Sequence, residues 1–194
     1  MSRTTIFRPT PSSALPALQA TAVTTEVVVM NPVAIPNPLL PGVASLPLMV
    51  IVPANAILEK TAFEIIAAGT IQTVAASTTT LKLYGVPSAI LQAGTAATLG
   101  NDTALGTSGA VTQNTATAPF VMHAKDVIYD STSGKMTGKV GFMINNVIVA
   151  DAAFSAVMTG ISNANDPVIG FLLTSTQSAG AAGAQIIVEQ FEIA

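Results

Sequence analysis

His123 is the only imidazole in the chain, so a nucleophile–His–carboxylate arrangement would have to be built on it. Serine and threonine are abundant, and Asp126 lies three residues on. The run around them, PFVMHAKD (119–126), reads as an apolar-rich strand. Residues an odd number apart on a regular strand point to opposite faces, which separates His123 from Asp126. Gly106-Thr-Ser-Gly109 lacks the G-x-S-x-G spacing, and the strand–turn–helix setting, that exposes a nucleophilic serine. His123 is therefore expected on a strand face or at a subunit contact.

Other chemistries fare no better. Asp126, Asp130 and Asp151 could converge on calcium, which needs several oxygen ligands, but DSTSG (130–134) lacks alternating acidic ligands and is ordinary turn chemistry. No metal or cofactor is expected. Glycoside hydrolysis requires two carboxyls facing each other across a cleft, and the ten acids are too scattered to nominate a pair. GKMTGKV (134–140) resembles a phosphate loop only superficially. It has one residue too few between its glycines and Val140 where Ser or Thr belongs, so it reads as a hairpin turn. Asn101-Asp-Thr103 matches the glycosylation triplet without a secretory signal beside it. Cysteine is absent, which excludes disulfides and thiolate zinc sites. The chain is not expected to be an enzyme.

Composition points to assembly. Half of the 194 residues are apolar and only 9% are charged, against roughly a quarter in a typical soluble domain. A surface this poor in charge is easiest to explain if other subunits cover much of it. The seven cations are scattered and net charge is −3, which leaves no electrostatic footprint for nucleic acid. The residues MSRTTIFRPTPSS have no apolar run of signal-peptide length behind the arginines, so export by that route is not expected. Residues 27–58 carry no charge, but six prolines interrupt them. Prolines at that density break any spanning helix and leave carbonyls unpaired in lipid, so a membrane span is not expected.

The elements that would position these residues fall into two parts. Nine of the twelve prolines precede residue 54, which predicts an extended arm over residues 1–47 and a compact body over 48–194. Within the arm, 24–30 (TTEVVVM) is the best strand candidate. NPVAIPNPLLPG (31–42) combines four prolines with four large or branched apolar side chains. Such a segment suits polyproline-like extension along a partner's groove. Val27, Val29, Ile35, Leu39, Leu40 and Val43 are the expected subunit-contact residues. In the body, strands are expected at 48–52, 61–73, 80–85, 120–129, 139–144, 147–150, 168–175 and 185–193. Phe63, Ile65 and Ala67 should share one buried face, with a bulge at Gly69. Leu81 and Leu83 should point inward, and Lys82 and Tyr84 outward. Residues 92–118 read as a long loop, with a short edge strand near 110–112. About eight antiparallel strands and no helix predict an all-β sandwich or barrel.

At 51–71, IVPANAILEKTAFEIIAAGTI, a strand ends in Pro-Ala-Asn, an apolar turn and a polar pair follow, and an alternating strand ends near Ala-Gly-Thr. With LKLYG (81–85), DSTSGKMTGKVGF (130–142) and IIVEQFEIA (186–194), this resembles the small jelly-roll structural proteins of tailed-bacteriophage virions, covering about residues 48–194. Head decoration (cement) proteins are the nearest type, with tail or fibre modules as relatives. The resemblance implies an antiparallel jelly-roll sandwich and a homotrimeric structural subunit without catalytic residues. It implies partners in the major capsid protein and neighbouring copies, and a place on the exterior of the phage head. The alternative it leaves open is a receptor- or glycan-binding module of a tail fibre, presented by the 92–118 loop. That loop, however, holds neither Tyr nor Trp.

Overall fold

A computed structural model describes residues 18–21, 26–28, 49–53, 62–72, 76–87, 103–113, 117–130, 132–158, 168–178 and 185–194. The described residues form twelve strands and no helix. They are β1 (Leu18–Thr21), β2 (Val27–Val28), β3 (Met49–Pro53), β4 (Phe63–Gln72), β5 (Thr78–Pro87) and β6 (Thr103–Thr107), followed by β7 (Val111–Thr112), β8 (Thr117–Asp130), β9 (Lys135–Ile144), β10 (Val147–Val157), β11 (Val168–Gln177) and β12 (Gln185–Ile193). All pairings are antiparallel, and the strands make two sheets packed as a jelly-roll-like sandwich. Sheet A runs β1-β12-β4-β8-β9-β10. Sheet B runs β2-β11-β5-β6, with β3 also on β11 and β7 also on β5.

Each expected body strand has a counterpart, and β12 has the expected bounds. β2 falls within the arm's strand candidate at 24–30 and β7 on the expected edge strand near 110–112, whereas β1 and β6 are additional. Two stretches of the expected arm are hydrogen-bonded into the body: β1 closes one edge of sheet A along β12, and β2 pairs with Thr174 and Ser175 of β11.

The core lies between the sheets, because alternating apolar residues on each strand face inward. Phe63, Ile65, Ala67 and Ile71 on β4, and Leu81 and Leu83 on β5, are buried there as expected. Phe63 of sheet A meets Phe171 of sheet B with ring centroids 5.9 Å apart and planes tilted by 60°, a favourable arrangement of ring quadrupoles. Gly69 differs from expectation in an informative way. The register shift lies in its partner strand, between Val188 and Gln190, and a β-carbon on Gly69 would overlap the Ile187 carbonyl oxygen. The glycine permits close approach of β12, and Glu189 is the extra residue.

Tyr84 also departs from expectation. It lies on the outer face of sheet B but is only 6% exposed, beside Leu172 at 1% and the fully buried Thr174. The outer face of sheet B is therefore covered, and Glu26 reaches onto it.

The hairpins that set the site are tightly specified. Asp130 Oδ1 accepts a bond from Thr132 N at 2.9 Å, and Gly134 has φ +63°, so the β8–β9 turn uses the expected residues. The turn ends at Gly134, and KMTGKV continues as β9 where a longer turn is expected. Asn145 and Asn146 have φ of 52° and 62°, a two-residue connection between the paired Ile144 and Val147. Positive φ at both central positions is what a type I′ hairpin requires, and asparagine tolerates it. β10 then runs eleven residues, well past the expected end at 150.

Candidate functional site

A concave site among the described residues lies on the outer face of sheet A, across β8, β9 and β10. Cross-strand register aligns His123, Gly141 and Asp151 in one row. Val121 and Met143 form the next row, with Ile148 opposite Met143. These residues, with Lys125 and Lys139, line a shallow trough of about 260 Å³. Gly141 lies at its centre, where the absence of a side chain lowers the floor.

Two ion pairs frame the trough. His123 Nε2 lies 2.9 Å from Glu64 Oε2, and Lys139 Nζ donates to Asp151 Oδ2 at 2.7 Å. Glu64 and Asp151 stand on β4 and β10, with β8 and β9 between them. Three strand spacings separate their backbones by roughly 14 Å. Glu64 and Glu192 are closer, as diagonal neighbours on β4 and β12, but Glu192 accepts from Gln190 Nε2 at 2.8 Å and neither lines the trough. The trough offers a mixed polar and apolar cradle, with Asp151 as its one carboxylate.

His123 and Asp126 do not form the pair that a relay would need. The parity that separates them on a regular strand is itself altered, because β8 carries a bulge between Lys125 and Ile128 and Asp126 has φ 50°. Lys125 and Asp126 are consequently both exposed. His123 instead bonds to Glu64, two residues before its cross-strand partner Ile66. Nor do Asp126, Asp130 and Asp151 come together: no group of three or more metal-ligating side chains occurs among the described residues.

A second polar constellation anchors the arm. Glu26 Oε2 accepts from Lys82 Nζ at 2.7 Å, and its Oε1 accepts from Thr174 Oγ1 at 2.6 Å. Burial pushes the Glu26 carboxyl up, but bonds from Lys82, Thr174 and Tyr84 outweigh it and hold it below the ordinary carboxylate value. The bond to Glu26 raises Lys82, and burial followed by the bond to Glu26 raises Tyr84. This clasp fixes the segment leading into β2 on the covered face of sheet B. The alternation of Lys82 and Tyr84 placed both on the outer face in sequence; their acidic partner, 56 residues away from Lys82, left no sequence signal.

Of the expected subunit-contact residues, Val27 lies in β2 opposite Ser175. Val29, Ile35, Leu39, Leu40 and Val43 lie outside the described residues. What sequence reasoning missed is the full length of β10, expected only over 147–150, and its exposure. Val147, Ile148 and Val157 are 60%, 71% and 52% exposed, and they are the large hydrophobics left in solvent among the described residues. All three sit on this one edge strand of sheet A.

No protein-family model matches the chain, and no curated protein matches it. Among solved structures, the chain is similar to an endo-1,3-beta-glucanase from Streptomyces sioyaensis, at 9% identity and a TM-score of 0.34. The match covers 70% of this chain and 66% of that enzyme, so the chain spans slightly under two thirds of its length. It assigns no role to any residue.

Proposed function

We propose that the chain is a structural virion protein that decorates and stabilises a bacteriophage head, bound to the major capsid protein and to neighbouring copies of itself. The observation that carries the assembly reading is the exposed apolar edge strand β10. An edge strand presents unpaired N–H and C=O groups, and natural proteins protect it with charge, proline or a covering element. β10 has one charged residue, Asp151, and no proline. Cover by another subunit answers that exposure. The virion setting rests on the sequence resemblance, and the sandwich architecture agrees with it.

In this reading the body bridges subunits of the shell, and binding only to the assembled lattice shifts equilibrium toward it. β1, β2 and the Glu26 clasp tie the first part of the arm to the chain's own sheets. Ile35, Leu39, Leu40 and Val43 then carry the outward contacts. The test is a full-length variant with Ile35→Asp, Leu39→Asp and Leu40→Asp, which keeps β1 and β2 in place. Added to heads lacking the protein, wild type should bind and raise their thermal stability, and the variant should wash off. Equal occupancy by the variant would remove the arm from the account.

The trough supports a second reading, a receptor- or glycan-binding fibre module, because it sets His123, Lys125, Lys139 and Asp151 around an apolar floor. Saturable binding of host polysaccharide, lost on filling the trough with Gly141→Leu, would favour that reading over decoration.

A further inference from the structure

We infer that β10 is a self-complementary edge that pairs antiparallel with β10 of a second copy, about a two-fold axis at Ala153. This rests on the reading that another subunit covers β10, and it names that subunit.

The backbone sets the register. Met158 N donates to Gly134 O at 2.9 Å, and Val157 is the register partner of Lys135. The alternation of an antiparallel ladder then turns the N–H and C=O of Asp151, Ala153, Ser155 and Val157 away from β9. Thr103 Oγ1 donates to Val157 O at 3.3 Å, as that direction requires, and takes up the last of these carbonyls. At the other end, a bulge interrupts regularity between Ile148 and Ala150. The regular free stretch is therefore 150–156, and its midpoint is Ala153.

Pairing about that midpoint is chemically consistent along its length. Asp151, the only charge on the strand, comes opposite Ser155 of the second copy, a hydroxyl donor rather than a like charge. Ala153 meets Ala153 at the axis, and on the inner face Ala152 meets Phe154 and Ala150 meets Ala156, with Phe154 already packed against the core. Past the ends of this ladder, the extra residue at Val149 sets Ile148 on the outer face beside Val157 of the second copy. The exposed apolar side chains at the two ends of β10 thus cover one another. Pairing with the other edge of sheet A offers only the four residues of β1, a shorter ladder than the seven residues of 150–156. The contact is two-fold, whereas the phage resemblance implies three-fold symmetry.

Sedimentation equilibrium of the full chain tests this. Wild type should have twice the chain mass. Ala153→Lys, which sets two cations at the axis from an exposed position, should halve it while the far-UV circular dichroism stays that of the folded wild type. Ile148→Lys should do the same. An equimolar mixture of Ala153→Lys and Ala153→Glu should regain the doubled mass. A wild type of single or triple mass would overturn the pairing, as would a doubled mass that Ala153→Lys leaves intact. Shell binding is scored separately: a single-mass protein that still coats heads overturns the pairing alone, and a dimer that ignores them overturns the decoration reading alone.

Discussion

At the scale of single residues, the side chains that matter most are those whose neighbours come from far along the chain. Gly69 faces the Ile187 carbonyl so closely that any β-carbon forces β12 to move. Gly69→Ala should therefore destabilise the fold by about 1–3 kcal/mol, the usual cost of overpacking, seen as a lower urea midpoint at unchanged m. Glu26 makes a prediction of a different kind. Its folded pKa lies below its ordinary value, so its contribution is complete above the unfolded pKa and is lost as pH falls through the folded one. Amide exchange at Val27 and Val28, corrected for intrinsic rates, should quicken relative to the core as the medium is acidified through the carboxylate range. Glu26→Gln should remove that dependence, and an unchanged profile would show that the clasp does not hold β2. Alternation alone revealed that Phe63, Ile65, Ala67, Leu81 and Leu83 face the core. It could not reveal that Tyr84 is buried, because the cover on its face involves Glu26, distant in sequence.

At the scale of elements, legibility followed the strength of the apolar pattern. QIIVEQFEI could be placed to the residue because large apolar side chains dominate it. β6 (TALGT) carries little strand signal in sequence, because it offers one large side chain, Leu105, and a glycine. That glycine is required: a β-carbon on Gly106 would overlap Val140 of the facing sheet. The strand signal of β10 fades after 150 because DAAFSAV lacks regular large–small alternation, as befits a strand at a sheet edge with much of its length exposed. The bulges in β8 and β10 left no signal either, since backbone irregularity there depends on the partner strand; His123 and Asp126 stay apart as expected, but the bulge between them replaces regular strand parity. The β9–β10 turn makes the element-level prediction. Asn145→Val puts a β-branched residue at φ 52° and should cost about 1–2 kcal/mol, the penalty for left-handed backbone. Thermal unfolding checks it, and Asn145→Gly should be neutral or better.

At the scale of the whole molecule, the sandwich was legible from eight strand-like runs, turn residues between them and no helical period. The union of arm and body was not. Two short pieces, β1 and β2, enter opposite sheets at their edges, and strands of four and two residues are too brief for pattern to specify a partner. The outer face of sheet A holds the trough and ends in β10, so ligand contact and subunit contact compete for the same side of the molecule. Occupancy of the particle decides between them. The most direct measurement is the location and copy number of the chain in purified particles, by labelling with antibody and quantitative mass spectrometry. Decoration predicts many copies distributed over the head. A few copies confined to the tail, or none, would contradict it.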